Sequence, residues 1–413
     1  MDRTFLVLAS GEVYSGLGFG YAAPTIDDLS PGILRFSAVG EVVFNTAMVG
    51  YHEVLTDPSY TGQLVLMTYP HMGNYGSVDQ WSESGRRIDS NDCETDPRPV
   101  KAAGFVLRSL YRGPVPKGRI TLDAFLKNNQ IPGITEIDTR KLTIRLRDHG
   151  STTGVLVRSK FSQSMELSKP EIDGVVAYLN SYPKMEGLNL VSDVGTLKSI
   201  QIPKDLPTDS LATTNTPRND YSIALVDCGV KANIVREFTK LGCNVIQFPS
   251  TAGAQDILDS NPDGIMISNG PGDPAVLTDQ VELIKQLIGK KPVFGICLGH
   301  QLISQALGAK TFKMKFGHHG INHPVRDEFT KKVFVTSQNH GFAVDDSTLP
   351  KDVDVWFKNA NDGTNEGIRS DELGLYTAQF HPESAPGPYD SHWIFEAFLK
   401  AIPEFQPGSK GGK

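Results

Sequence analysis

The stretch Lys291-Pro-Val-Phe-Gly-Ile-Cys-Leu-Gly-His300 carries the strongest structural and chemical signal in this chain of 413 residues. Its apolar first half predicts a buried strand over 291–296, and residues 300–307 form a helical pattern that Gly308 ends. Cys297 therefore stands between two glycines at a strand-to-helix turn, which is the nucleophile-elbow pattern with cysteine instead of serine. The positive end of the helix favours thiolate over thiol. A buried structural cysteine is the alternative interpretation.

Strand and helix patterns alternate around this turn. Strands are predicted at 223–226, 244–248, 264–268 and 291–296, and helices at 232–241, 255–258 and from the Asp273-Pro274 pair to about Gly289. This alternation indicates an α/β fold with a mostly parallel open sheet flanked by helices. Beyond Lys310 the pattern becomes richer in strands, which are predicted at 332–336, 353–358 and 375–380.

The N-terminal half has less rhythm and is interpreted as a mixed α/β domain over residues 1–200. Its predicted strands are 42–46, 64–68, 104–108 and 154–157, and Asp138 is the predicted cap of a helix that runs to about Asp148. Residues 201–220, rich in Pro, Thr and Asp, are predicted to be a linker. Residues 221–405 then form the second domain, and 406–413 are expected to be a flexible tail.

Composition excludes several classes of protein. Forty Lys and Arg against 47 Asp and Glu give a net charge of −7, which provides no general attraction to nucleic acid or to anionic membranes. We find no apolar run near the roughly 18 residues of a membrane span and no signal peptide. The four cysteines form no CxxC pair, which fits a reducing compartment. We therefore expect a cytoplasmic protein that binds neither nucleic acid nor membranes.

His381 and Glu383 are the candidates for proton transfer. A thiolate nucleophile needs a group that protonates the leaving group, and that group needs a partner that orients it. His381-Pro-Glu383 follows a predicted strand, and the proline favours extended backbone at the histidine. In extended backbone both side chains project to the same side, so that the carboxylate can orient the imidazole. On its own, the pattern also fits a simple turn.

Two backbone N–H groups are candidates for an oxyanion hole. One belongs to Leu298, which directly follows the cysteine. The other belongs to Gly272 in Ser268-Asn-Gly-Pro-Gly-Asp-Pro274, a loop predicted at the carboxyl edge of the sheet, where α/β proteins bind ligands. An ordinary β-turn is the alternative for this loop.

Three motifs together resemble the class I (triad) glutamine amidotransferase domain over about residues 221–403: Gly295-Ile-Cys-Leu-Gly-His-Gln301, Asn269-Gly-Pro-Gly-Asp-Pro274 and Phe380-His-Pro-Glu383. The resemblance implies hydrolysis of L-glutamine through a glutamyl thioester, with ammonia delivered to a partner active site. It implies Cys297 as nucleophile, His381 as base and Glu383 as the group that orients the histidine. The positions that it implies for glutamine binding are Gly270, Gly272, Leu298, Gln301, Asn339, Gly341 and Phe342.

Further motifs resemble the small-subunit family of carbamoyl-phosphate synthetases, namely residues 40–63, 70–76, 137–142 and 227–233. This resemblance implies that Ser59, otherwise interpreted as a turn or cap serine, contacts the glutamine. It also implies a large partner subunit that binds ATP and magnesium and makes carbamoyl phosphate from bicarbonate for arginine and pyrimidine synthesis. No cofactor is expected on this chain itself. Residues 21–34 and 79–94 depart from the family pattern.

Two other functions stay open at this point. One is an amidotransferase subunit of another synthase, such as one that makes anthranilate, and the N-terminal half argues against it. The other is a catalytically silent scaffold, which the intact Cys297, His381 and Glu383 oppose.

Two further patterns receive structural interpretations. Gly16-Leu-Gly-Phe-Gly20 has no convincing helix after it, so a dinucleotide site is not predicted. His318, His319 and His323 are interpreted as part of a structural loop, and no metal site is predicted, because no further ligands are evident nearby.

Overall fold

The computed structural model describes residues 2–30, 37–84, 98–159, 165–204 and 220–406. These residues divide into two compact units. The first unit contains 2–84, 98–188 and the short segment 315–319, and the second contains the other described residues from Asn189 onward. Each unit has its own sheet and its own hydrophobic core.

The first unit is built mainly of strands. Its strands are β1 (Arg3–Leu8), β2 (Val13–Gly20), β3 (Val39–Asn45), β4 (Gln63–Met67), β5 (His71–Met72), β6 (Gly104–Val106), β7 (Ser109–Leu110), β8 (Pro132–Thr135) and β9 (Thr152–Val157). Its helices are α1 (Tyr51–Thr56), α2 (Leu122–Asn128), α3 (Thr139–His149) and α4 (Lys169–Ser181).

Seven of these strands form a closed barrel in the order β1-β2-β8-β6-β4-β3-β9, filled by aliphatic side chains. The glycines of β2 lie where neighbouring strands approach closely. A Cβ on Gly16 would lie 2.2 Å from the carbonyl oxygen of Thr135 on β8, and one on Gly18 would lie 2.5 Å from Thr4 Oγ1. These glycines therefore serve strand packing in the barrel.

The four strands predicted for this half correspond to β3, β4, β6 and β9. The predicted helix is α3, and the Asp138 side chain accepts a hydrogen bond from the Lys141 N–H at 3.0 Å, as expected of a cap. Strands β1 and β2 were not predicted. Three glycines interrupt the pattern of β2, whereas the apolar run of β1 was simply not interpreted as a strand.

The second unit contains one large sheet with helices. Its strands are β10 (Ile200–Ile202), β11 (Ser222–Asp227), β12 (Asn244–Pro249), β13 (Gly264–Ile267), β14 (Val293–Ile296), β15 (Thr311–Asp327, apart from its residues 315–319), β16 (Val333–Val344), β17 (Asp354–Asn359), β18 (Asn365–Ser370) and β19 (Leu375–Ala378). Its helices are α5 (Ala232–Lys240), α6 (Ala254–Asp259), α7 (Thr278–Leu287), α8 (Leu298–Ala306) and α9 (Trp393–Glu404).

The strand order is β10-β12-β11-β13-β14-β19-β18-β17-β15-β16, and the five strands from β12 to β19 in that order are parallel. This confirms the predicted α/β fold with its central parallel sheet. The antiparallel strands β18, β17 and β15 extend the sheet beyond β19. The carboxyl ends of β14 and β19 consequently lie side by side, which positions the residues that follow them.

Several predicted boundaries were wrong. The helix predicted from residue 273 to 289 is a 3-10 turn, Pro274–Val276, followed by α7, because the Leu277 backbone (φ −90°, ψ 50°) interrupts the helix. His318, His319 and His323 lie in β15 and not in a loop. The strand predicted at 332–336 continues to Val344 as β16.

The predicted linker begins inside a strand, because β10 pairs antiparallel with β12 and includes residues 201 and 202. Residues 189–200, assigned from the sequence to the first domain, belong to the second unit. Residues 205–219 of the predicted linker and 407–413 of the predicted tail lie outside the described residues, as do parts of the two segments that depart from the family pattern.

Candidate active site

Cys297 occupies a sharp turn between β14 and α8. Its backbone has φ 53° and ψ −105°, a combination that residues other than glycine rarely adopt. A Cβ on Gly299 would lie 2.1 Å from the Ile267 carbonyl oxygen, and one on Gly295 would lie 2.6 Å from Ile303 Cδ1. Both flanking glycines are thus required for the elbow to pack against β13 and α8, as the sequence pattern predicted.

The sheet brings the histidine segment to this cysteine. Ile296 on β14 is in register with Ala378 on β19, and the Cys297 N–H donates to the Ala378 carbonyl oxygen at 2.8 Å. His381 follows three residues after Ala378, and its N–H donates to the Ser337 carbonyl oxygen of β16 at 2.9 Å. Neighbouring strand ends therefore carry both groups.

His381 and Glu383 form a buried pair. Nδ1 of the imidazole lies 2.6 Å from Oε1 of the carboxylate, and both side chains are at most 1% exposed. Burial by itself lowers the pKa of His381, but the charge of Glu383 and the neighbouring Cys297 thiol outweigh it and raise that pKa to about 10. The imidazole is therefore protonated at neutral pH and can supply a proton.

The Cys297 sulfur itself points to a different partner. Its Sγ lies 3.6 Å from the carbonyl oxygen of Asn339, while Nε2 of His381 is buried without a hydrogen bond among the described residues. Cys297 nevertheless contributes to the raised pKa of His381, through its charge and its side-chain interaction with the ring, so the two groups are neighbours. Catalytic hydrogen bonds commonly shorten only when substrate is bound.

A buried lysine completes the charge arrangement. Nζ of Lys231 lies 3.1 Å from Oε1 of Glu383 and also donates to the Ser384 carbonyl oxygen. Burial raises the pKa of Glu383, but Lys231 and His381 outweigh it and hold that pKa at about 2. Sequence reasoning did not assign a role to Lys231, although it lies in the 227–233 motif. The sequence feature that could have indicated a role is a lysine in an otherwise apolar, glycine-containing loop.

The loop after β13 packs against the elbow. A Cβ on Gly270 would lie 2.0 Å from the Cys228 carbonyl oxygen and 2.9 Å from Leu298 Cδ2, so only glycine fits there. Gly272 has φ 95°, which also favours glycine. The Asn269 side chain accepts from the Lys231 N–H at 2.9 Å. Gly270 and Leu298 are thus close together, as expected of neighbouring substrate-binding positions.

Strand β16 supplies the remaining predicted positions of the second unit. Asn339, Gly341 and Phe342 all lie on it, and the Phe342 carbonyl oxygen accepts from Gln301 Nε2 at 2.9 Å. Gln301 is on the first turn of α8, and its N–H donates to the Cys297 carbonyl oxygen at 3.2 Å. The structure therefore brings Asn339 and Gln301 to the cysteine and Phe342 to Gln301, and Gly341 lies between Asn339 and Phe342 on the same strand.

Ser59 belongs to the first unit. It lies in the 3-10 turn Pro58–Tyr60, where its N–H donates to Asp57 Oδ1 at 2.9 Å, and it is buried. Asp57, and not Ser59, caps this turn. The contact of Ser59 with glutamine stays a prediction.

The clustered groups define a chemistry. A cysteine at a helix N-terminus, a protonated imidazole beside it and a carboxylate that orients the ring are the parts of a nucleophilic acyl-transfer site. The matching family models agree with this: residues 224–401 match "Glutamine amidotransferase class-I", and residues 6–156 match "Carbamoyl-phosphate synthase small chain, CPSase domain". The second unit is therefore a class-I glutamine amidotransferase domain.

Curated relatives specify the family over nearly the whole chain. The carbamoyl phosphate synthase small chain of Methanocaldococcus jannaschii is 43% identical over 96% of this chain and 98% of its own. The small chain of Akkermansia muciniphila is 42% identical over 97% of this chain and 97% of its own. That of Clostridium perfringens is 40% identical over 96% of this chain and 98% of its own. The chain belongs to the carbamoyl-phosphate synthase small-chain family. Among the described residues, no helix is both long and apolar enough to cross a membrane.

Proposed function

We propose that this chain is the glutaminase subunit of a glutamine-dependent carbamoyl-phosphate synthetase, with Cys297, His381 and Glu383 as its catalytic triad. The observation that carries the assignment is the pairing of β14 with β19, which joins the elbow cysteine to a buried His–Glu pair. The match of residues 6–156 to the small-chain domain supports carbamoyl phosphate synthesis over another synthase, such as one that makes anthranilate.

The reaction proceeds in two acyl-transfer steps. The Cys297 thiolate attacks the carboxamide carbon of L-glutamine, and the N–H groups of Leu298 and Gly272 stabilise the oxyanion. His381 gives its proton to the departing nitrogen, so that ammonia leaves and a glutamyl thioester remains. The neutral imidazole then takes a proton from water, whose oxygen attacks the thioester, and glutamate and the thiolate are released. Glu383 holds the ring orientation and stabilises the imidazolium.

Binding of glutamine is assigned to the positions that surround the cysteine. Gly270 and Gly272 would offer backbone groups from the loop after β13, and Gln301, Asn339, Gly341 and Phe342 would contribute from α8 and β16. Ser59 is included as the contribution of the first unit.

The ammonia is used by a partner. A large subunit that binds ATP and magnesium takes it, together with bicarbonate, to make carbamoyl phosphate for arginine and pyrimidine synthesis. The heterodimer is cytoplasmic, and this chain carries no cofactor. Because free ammonia becomes protonated in water, its transfer requires a path shielded from solvent.

The test compares nitrogen sources. The full-length chain is combined with the large subunit, and carbamoyl phosphate is measured with glutamine or with ammonium chloride. Cys297→Ser is expected to abolish synthesis from glutamine and to preserve synthesis from ammonia. Cys228→Ala, at a buried cysteine that the mechanism does not use, is the matched control and should retain both. Glutamine-dependent synthesis by Cys297→Ser would disprove the nucleophile assignment.

A further inference from the structure

Gln379 is a fully buried polar residue that the mechanism does not use. It directly follows β19 and precedes His381 by two residues. Its N–H donates to the Glu366 carbonyl oxygen at 2.8 Å, which fixes its backbone beside β18. Its side chain meets that of Gln301, which lies one helical turn after Cys297.

The two amides and a backbone carbonyl define one another's orientation. Nε2 of Gln301 lies 2.9 Å from the Phe342 carbonyl oxygen and 2.9 Å from Oε1 of Gln379. A carbonyl can only accept, so the atom of Gln301 that faces Phe342 must be the nitrogen. The same nitrogen faces Gln379, whose facing atom must then be its oxygen. Both N–H bonds of the Gln301 amide are thereby used.

We propose that Gln379 is a positioning residue for substrate recognition: it holds the Gln301 amide so that only its carbonyl oxygen, Oε1, is offered to the substrate. This inference rests on the proposed glutaminase function. An oxygen that can only accept recognises a donor group, and it rejects a ligand that presents a carboxylate there.

The donor that Oε1 recognises is the α-ammonium of glutamine. Glutamine carries two donor groups, the carboxamide and the α-ammonium, and the carboxamide has to lie at the sulfur of Cys297. Side chains on a helix lean toward its N-terminus, so Gln301 extends back toward Cys297, about one turn or 5.4 Å away along the axis. The α-ammonium is the end of the substrate that remains for it.

The test uses glutaramic acid, which is glutamine without its α-ammonium. The KM for glutamine and the inhibition constant of glutaramic acid against glutamine hydrolysis are measured on the full chain with its large subunit. Gln379→Met keeps the size of the side chain and removes the acceptor. It is expected to raise the KM for glutamine about tenfold, with kcat and the glutaramic acid constant within about threefold of the original.

Gln379→Glu is the conservative control, since it keeps an acceptor oxygen at the same place and should keep the preference for glutamine. A KM for glutamine that stays unchanged in Gln379→Met, or equal weakening of glutamine and glutaramic acid, would overturn the proposal in favour of a structural role. Gln379→Leu replaces Gln379→Met should the latter fail to fold. If the unaltered protein releases no glutamate from glutamine, the proposed function itself is wrong, which is a separate result.

Discussion

Two cysteines follow parallel strands of the same sheet and have opposite surroundings. Cys228 follows β11, and its N–H donates to Ser268 Oγ at 2.9 Å in a loop that Asp227 closes with bonds from the Gly229 and Val230 N–H groups. Burial and the Asp227 carboxylate raise the pKa of the Cys228 thiol well above its usual range.

Cys297 follows β14 at a backbone angle of φ 53° and has an imidazolium and a helix N-terminus beside it. Both cysteines are buried, so burial does not distinguish them. The difference lies in the neighbouring groups: a carboxylate lies beside the Cys228 thiol, whereas an imidazolium and a helix N-terminus lie beside Cys297. Positive surroundings of this kind fit the nucleophile role proposed for Cys297.

The largest expected effect is in thiol reactivity. A thiol-directed glutamine analogue should modify Cys297 at least about 10³-fold faster than Cys228, because Cys228 is a neutral thiol that reacts only after local opening. Peptide mass spectrometry after timed labelling measures the ratio. Labelling in denaturant is the control, where a non-specific thiol reagent should modify both at similar rates. Comparable native rates would contradict the comparison.

Removal of the Glu383 carboxylate should make the surroundings of Cys297 less positive and therefore more like those of Cys228. Glu383→Gln takes away the charge that raises the pKa of His381, and burial then lowers that pKa. We expect kcat/KM for glutamine to fall by about 10²-fold. NMR titration of the His381 ring should show the lower pKa. Glu396→Gln, on the exposed side of α9, is a charge-matched control that should change neither value.

Glycine substitution tests the elbow as a structure. Gly299→Ala places a Cβ 2.1 Å from the Ile267 carbonyl oxygen and should lower the free energy of unfolding by about 1–3 kcal/mol. Gly174→Ala, in the exposed interior of α4 with no atom within 4 Å of the new Cβ, should raise it by about 0.5–1 kcal/mol. Urea unfolding measures both. Equal effects would mean that the elbow does not require glycine.

The smallest expected effect is on the pH dependence of the free energy of unfolding. Because the pKa of His381 is raised from 6.5 to about 10, its protonated form is stabilised in the folded state. This contribution is complete below pH 6.5 and is lost as pH rises through 10. The free energy of unfolding should therefore fall more between pH 7 and 10 in the unaltered chain than in Glu383→Gln. Parallel curves would contradict the raised pKa.

Features that depend on residues close together in the sequence were predicted, and features that depend on distant residues were not. The elbow could be predicted from the sequence because its requirements, two glycines and a strand-to-helix change, lie within a few residues. The His381–Glu383 pair was predicted because the two residues are only two positions apart. The extended backbone expected between them was wrong, since residues 382 and 383 form a turn in which the Ser384 N–H donates to the His381 carbonyl oxygen. Lys231 and Gln379 were missed because their partners, Glu383 and Gln301, are distant in the sequence.

The barrel shows the same limit on a larger scale. Its closure depends on β2 pairing with β8 and β1 pairing with β9, contacts between residues more than 100 positions apart. The glycines of β2 that permit those contacts weaken its local strand pattern at the same time, and β2 was therefore not predicted. The parallel order of the second unit, in contrast, follows from a local alternation of strands and helices.

The hydrogen bond from the Cys297 amide to Ala378 has a consequence for how slowly this amide exchanges its proton with solvent. It continues the β14–β19 ladder by one step, in the buried middle of a ten-stranded sheet. Such an amide exchanges with deuterium only when the sheet opens, so it should be among the slowest in the protein. The strand pairing therefore holds the backbone of Cys297 beside the strand that leads to His381. Strand β16 adds two contacts, since its Asn339 carbonyl oxygen lies 3.6 Å from the Cys297 sulfur and its Phe342 carbonyl oxygen accepts from Gln301.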